Sequence, residues 1–454
     1  GAGRGARGEG GFDAVIGNPP YVRQETLGEQ KQYFQRHYQT YHGMADLYTY
    51  FIEKGISLLR NGGRFGYIVA NKWMRANYGE PLRDWLLKQR VEEITDFGDL
   101  PVFVGATTYP CILIISKNPP AEEIQVTNVD TLGFTNLLDY QSQNHRFQKH
   151  SSFGKDSWSL SKDNISIGLI YDQTRFSKLG KLLEGKIFRG VLTGLNDAFI
   201  IDPKIRGELI AEDPNCEELI KPFLMGRDIK RYQNPQTERY LIFTRRGIDI
   251  NKYPSVLKYL TKFKTRLSPR PKGFSGIWNG RKPGPYKWYE IQDSIDYFRE
   301  FNKPKLILPD ISLRGNFQLD SKGEFFCVNT AYIMVTDEKY LLGILNSKLI
   351  TFIYKDISSS YRGGYLRFIY QYLVQLPIRT IDFNDPADVK RHERMVALVE
   401  SMLALHKQLA AAHTPQETEM LQRQIASTDR QIDALVYELY GLTEEEIRIV
   451  EGGE

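Results

Sequence analysis

Long apolar runs are missing from this chain of 454 residues. None approaches the roughly 18 residues of a membrane-spanning helix, so no membrane association is expected and a cytoplasmic location is the default. Cysteine is scarce: Cys111, Cys216 and Cys327 lie far apart. That spacing excludes a disulfide framework and suggests no metal site. The opening GAGRGARGEGG has no apolar core, which excludes a signal peptide. It also lacks a preceding strand and a following amphipathic helix, so its glycines read as a flexible linker rather than a nucleotide loop. A dominant charge sign is missing too, with 60 basic against 55 acidic residues.

What is present is uneven. Lys221 to Lys287 holds 17 Lys or Arg against three acids, whereas Ile381 to Glu454 holds 15 acids against seven Lys or Arg. A basic middle points to a polyanion-binding surface, with a solvated lysine-rich face as the plain alternative.

Four regions follow from patterning. Residues 1–120 alternate strand-like and helix-like segments, which predicts a mostly parallel sheet covered on both faces. In this part, NGG at 61–63 reads as the stop of the helix in ADLYTYFIEKGISLL. VEEITDFGD and YPCILIISK have no helix between them and are expected to pair antiparallel at one edge. Residues 121–186 read as a helical connection, and 187–380 as an α+β domain with long Gly- and Pro-rich loops. In 381–454, Met395, Leu398, Met402, Leu405 and Leu409, then Leu421, Ile425, Thr428, Ile432, Leu435 and Leu439, step by three and four around HTP, predicting a helical hairpin with a coiled-coil seam.

The stretch FDAVIGNPPYVRQE ends an apolar strand on two prolines. Proline fixes φ and donates nothing to a ladder, so the corner is stiff. Asn18 and the Pro19 carbonyl offer acceptors and Tyr21 a flat ring, which suits a planar group carrying an NH2. NPPY after a strand resembles the catalytic motif of S-adenosylmethionine-dependent amino-methyltransferases. With the segment that follows it, with DLPVFVGATTYPCILIISK, and with SSSYRGGYLRFIYQYLVQLPI, it is similar to the adenine-N6 DNA methyltransferases of restriction-modification systems, in a type IIG-like arrangement. Glutamine and guanine-N2 methyltransferases also carry NPPY; the large basic domain favours DNA.

The resemblance implies an α/β fold: a partial Rossmann-like methyltransferase sheet, then an α+β target-recognition domain and the helical hairpin. It implies that Asn18 and Pro19 hold the amino group of a flipped adenine, that Tyr21 and Phe103 stack on the base, and that Pro20 and Phe51 lie beside the cofactor. Without it, Phe51 and Phe103 read as core residues. The family's cofactor-binding half precedes NPPY, and here only 17 residues do. The chain is therefore expected to be a C-terminal fragment that binds S-adenosylmethionine poorly and is inactive alone, with a cofactor-binding or nuclease region upstream left open. The alternative function is a DNA-specificity module serving a separate catalytic chain.

Double-stranded DNA is the implied partner. Candidate contacts are Arg189 and Thr193 in RGVLTGLND, then Arg227, Lys230, Arg231, Arg245 and Arg246. Arg281, Lys282 and Trp288 in NGRKPGPYKWYE are further candidates, with Arg314, Tyr361 and Arg362 weaker ones. On this reading, replacing Arg281 and Lys282 by alanine weakens DNA binding and flattens its salt dependence.

Overall fold

The computed structural model describes residues 10–103, 108–155, 157–160, 175–358, 360–361 and 364–452. It divides into two compact units, residues 1–171 with 354–365 and residues 172–353 with 366–454.

The first unit is built on a six-stranded sheet. Its strands are β1 (Phe12–Gly17), β2 (Leu59–Ala70), β3 (Arg90–Asp96), β4 (Pro110–Ser116), β5 (Glu123–Asn128) and β6 (Arg146–Lys149), in the order β1-β2-β4-β3-β5-β6. The β1–β2 and β3–β5 pairs are parallel, and the other three are antiparallel. The sheet is thus mixed rather than mostly parallel. β3 and β4 do pair antiparallel, but not at an edge: β4 inserts between β2 and β3, and β5 and β6 extend the sheet beyond them. β4 runs antiparallel to both of its neighbours. It is covered on both sides, with Cys111, Leu113 and Ile115 fully buried. Among the described residues β1 has a single neighbour, and its Phe12 and Ile16 are exposed.

Helix α1 (Leu47–Ser57) connects β1 to β2. Tyr48, Ile52 and Ile56 recur every fourth residue and pack on Phe65, Tyr67 and Val69, the inward alternation of β2. Gly55 permits this approach: a Cβ there would lie 2.7 Å from the Phe65 ring. The helix ends at Ser57, ahead of NGG. Asn61–Gly63 instead lie in an irregularity of β2, where Phe12 pairs with Leu59 but Ala14 with Arg64, and Gly62 takes φ +74°.

In the second unit, two four-stranded sheets share one core. One is ordered Phe326–Cys327, Ile220–Leu224, Tyr240–Ile242, Ile200–Ile201; the other is ordered Gln318–Asp320, Lys305–Pro309, Ala331–Met334, Ile187–Arg189. Phe223, Leu224 and Phe326 from the first meet Ile307 and Ile333 from the second. The expected hairpin is present as helices Pro386–Ala411 and Pro415–Tyr440. Asp385 and Thr414 cap them, each ahead of a proline in the first turn. The buried face of the first helix is rotated from the expected seam: Val399 is fully buried and Leu398 only half. The reason is Gly343, where a Cβ would lie 2.5 Å from Met395 and 3.0 Å from Val399, so this helix packs on the helix Lys339–Leu345 as well as on its partner. Among the described residues no helix is long and apolar enough to cross a membrane, and no group of three His, Cys, Asp or Glu could hold a metal.

A charged network joins the hairpin to the body of this unit. Arg231 donates two hydrogen bonds to Asp429. The Asp433 carboxylate accepts from the Lys348 backbone N–H at 2.9 Å. Burial pushes the Asp433 carboxyl up to about 6, against an unfolded value near 3.9. A folded-state pKa raised this way stabilises the protein below the unfolded pKa, and the stability is lost as pH rises through 6. Asp433→Asn keeps the acceptor without the charge. Its melting temperature is expected to exceed that of the unmodified chain above pH 6, by the equivalent of about 3 kcal/mol, and to match it near pH 4. Melting curves across that range check it; a difference independent of pH would exclude Asp433 as its source.

Candidate active site and nucleic-acid surface

β1, β2 and β3 run parallel, so Gly17, Ala70 and Asp96 end on one edge of the sheet, where β4 begins at Pro110. Ligands of open α/β sheets bind beyond such carboxyl ends. Asn18 to Tyr21 leave β1 at this edge. Pro19 is buried, while Asn18 and Pro20 are exposed. Among the described residues, neither the Asn18 amide nor the Pro19 carbonyl has a hydrogen-bond partner. Tyr21 is half-buried, its hydroxyl directed at the Ile68 carbonyl at 3.4 Å, and burial pushes its phenol up to about 12. Its ring lies 6.3 Å from that of Tyr48, whose hydroxyl shares a 3.0 Å hydrogen bond with Tyr78. The segment after NPPY is tied to the start of α1. Leu47 N–H donates to the Val22 carbonyl at 3.0 Å, and Gln24 N–H donates to the Asp46 carboxylate at 3.1 Å.

The neighbouring strand ends are cross-linked. Asn71 donates through its amide to Asp96 at 2.8 Å and through its backbone to the Tyr109 carbonyl at 2.7 Å. Lys72 lies 5.9 Å over the Tyr109 ring. Burial raises the Asp46 carboxyl above its ordinary value, opposed in part by the Gln24 N–H and by Lys72. Tyr48, Tyr78, Asn71 and Asp96 were not legible as site residues. Asn71 and Lys72 follow β2 directly, which was the available signal.

Of the other expected residues here, Phe51 is 39% exposed on α1. Phe103 is half-buried in the loop after β3 and makes no ring contact with Tyr21. Residues 104–107 lie outside the described residues.

In the second unit the basic candidates divide. Arg281 is 4% exposed and donates to the carbonyls of Leu267, Thr193, Glu290, Lys287 and Trp288. Thr193 is also buried, its hydroxyl bonded to Asn196. Arg231 is held by Asp429, and Arg246 donates to the Gln292 carbonyl at 2.9 Å. Trp288 is half-buried beneath Lys264. The exposed cations are Arg189, Arg227, Lys230, Arg245, Lys282 and Arg314, with Arg245 stacked 4.8 Å over Phe298. In the first unit Tyr361 lies on a short strand, and Arg362 lies outside the described residues. In sequence the basic stretch is a count of charges. Counting cannot tell a guanidinium that reaches solvent from one that binds carbonyls in a core.

Residues 5–103 match the Eco57I restriction-modification methylase, and residues 221–378 match the TaqI-like C-terminal specificity domain. Three relatives align along nearly the whole chain. The type II methyltransferase M.PaeR7I of Pseudomonas aeruginosa is 28% identical over 96% of this chain and 72% of its own length. M.BstVI of Geobacillus stearothermophilus is 25% identical over 97% of this chain and 75% of its own length. The type II restriction enzyme and methyltransferase RM.Eco57I of Escherichia coli is 23% identical over 95% of this chain and 46% of its own length. The chain thus spans less than half of that last enzyme. Among solved structures, the type IIL restriction-modification enzyme MmeI in complex with DNA shares the fold, with a TM-score of 0.61 and 15% identity over 96% of this chain and 56% of that one. Residues 5–103 are thus similar to a restriction-modification methylase, and residues 221–378 to a specificity domain.

Proposed function

We propose that this chain serves a site-specific DNA methyltransferase of a restriction-modification system, which transfers a methyl group to N6 of an adenine flipped from the duplex. The observation that carries this reading is the corner after β1: two unpartnered acceptors, the Asn18 amide oxygen and the Pro19 carbonyl, beside the half-buried ring of Tyr21.

An exocyclic amino nitrogen is a weak nucleophile because its lone pair is delocalised into the ring. Asn18 and Pro19 accept its two hydrogens and favour a pyramidal nitrogen with a localised pair. That interaction strengthens as positive charge develops on nitrogen, which is the condition for lowering a barrier rather than merely binding. Tyr21, positioned by Tyr48 and Ile68, stacks on the base face and offsets part of the few kcal/mol of unstacking, with Phe103 the candidate for the other face. S-adenosylmethionine supplies the electrophilic methyl group; Pro20 and the exposed face of Phe51 are the residues present here that fit beside it.

The second unit binds duplex DNA and selects the site. Arg227 and Lys230, both exposed, are expected to contact phosphates. Changing both to alanine should weaken binding of all duplexes alike and reduce the slope of log K against log salt by about 2. An unchanged slope would remove this stretch from the interface.

Mass analysis of nucleosides from duplex DNA treated with S-adenosylmethionine and the methyltransferase that this chain serves tests the reaction. N6-methyladenine is expected. N4-methylcytosine would reassign the target base, and sequence-specific binding without any methylation would favour the specificity-module reading.

A further inference from the structure

One carboxylate stands among the cations of the second unit with no structural task. The strands Ile187–Arg189, Lys305–Pro309 and Ala331–Met334 are neighbours, with Arg189 opposite Tyr332 and Pro309 opposite Ala331. Asp310 directly follows Pro309. Its backbone is pinned on both sides: its N–H donates to the Thr330 carbonyl at 2.9 Å, and its carbonyl accepts from Phe368 N–H at 2.8 Å. The next residue, Ile311, pairs with Arg367. Arg189 is fixed by a 2.6 Å hydrogen bond to the Asn329 carbonyl. Gly226, which precedes the exposed Arg227, has its Cβ direction 3.7 Å from the Thr330 carbonyl and 3.8 Å from Pro309.

Two arginines, Arg189 and Arg367, thus act on a half-buried carboxylate. Among the described residues, no Lys or Arg nitrogen lies within 4.0 Å of it, and no other residue donates a hydrogen bond to it. Burial raises this carboxyl above its ordinary value, and the fields of Arg367 and Arg189 oppose that, which favours the ionised form. A surface that only bound phosphates would gain from losing this acid. A carboxylate held on a rigid backbone beside cations has a use in reading a base edge, where it accepts from an exocyclic amino group.

We propose that Asp310 is a specificity-determining residue that accepts a hydrogen bond from the exocyclic amino group of one base, cytosine N4 or adenine N6, in the recognised sequence. This rests on the reading of the second unit as the DNA-selecting surface.

Binding of a randomised duplex pool by the full chain and by its Asp310→Ala and Asp310→Asn variants tests it, with the salt slope measured alongside. The unmodified chain should select a sequence. Asp310→Ala should relax the preference at one position by about 10- to 100-fold while leaving the other positions and the salt slope unchanged. At that position, a base analogue lacking the amino group should weaken the unmodified chain by a similar factor and Asp310→Ala not at all; cytosine and adenine analogues tell the two bases apart. If Asp310→Ala strengthens or weakens binding at every sequence alike, Asp310 is not a reader. Asp310→Asn, which keeps the side-chain shape, separates that result from misfolding: a native melting curve with unchanged selection also overturns the proposal. Failure of the unmodified chain to select any sequence overturns instead the reading on which it rests.

Discussion

Arg281→Ala should lower the stability of the second unit by roughly 3–5 kcal/mol, among the larger effects of any single substitution there. The guanidinium is buried, stacks 4.4 Å from the Tyr286 ring, and binds five carbonyls from three stretches of chain. No carboxylate forms an ion pair with it among the described residues, and burial lowers its pKa to about 10. Removing it strands those carbonyls in a dry interior, and each unsatisfied group carries a desolvation penalty. Gly194, at φ +81°, makes room for the side chain, since a Cβ there would lie 2.8 Å from the Arg281 Cδ. Urea denaturation reads the effect. Arg281→Lys should recover only part of the loss, because an ammonium has three donors and no planar fork. Exposed Lys282→Ala should change stability by less than about 0.5 kcal/mol. A melting temperature for Arg281→Ala within two degrees or so of the unmodified protein would sink this assignment. The burial of Arg281 also changes the expectation from sequence: weaker DNA binding by an Arg281 variant would report the folded fraction, with the salt slope of the folded protein unchanged.

In the active methyltransferase that this chain serves, Asn18→Ala should reduce the methyl-transfer rate at least 100-fold, with duplex affinity changed no more than two- to threefold. Asn18 is exposed and has no hydrogen-bond partner among the described residues, so its loss should leave the melting curve in place. The asymmetry between rate and affinity is the informative part, since an interaction that strengthens only as charge develops lowers kcat rather than binding. Asn18→Asp retains an acceptor and should keep much more activity than alanine. Single-turnover transfer of a labelled methyl group to duplex DNA measures both variants. Equal rates for Asn18→Ala and the unmodified protein would remove the amide from the chemistry.

The stiff corner after β1 was legible because it is local. Two prolines after an apolar run impose a stiff turn whatever surrounds them, and the acceptors lie in consecutive residues. The capped hairpin was legible for the same reason, since helical period and N-terminal signals are short-range. The place of β4 was not, because insertion between two strands is decided by pairing across the sheet. Nor were the props of the corner: Tyr48 and Tyr78 lie 30 residues apart, as Asn71 and Asp96 lie 25 apart, and each pair exists only once the strands and helices are assembled.

By itself, then, the sequence determined the identity and spacing of the chemical groups: NPPY at the end of a strand, a basic segment after it, and an acidic helical tail. Tertiary structure alone decided which of those groups remain available. Arg281 and Arg231 carry the same charge in sequence as Arg227, but burial satisfied one with carbonyls and one with Asp429, and left the third in solvent. The physical reason is that a charge must be desolvated to enter a core and then needs partners from distant segments, and composition does not record where those segments meet.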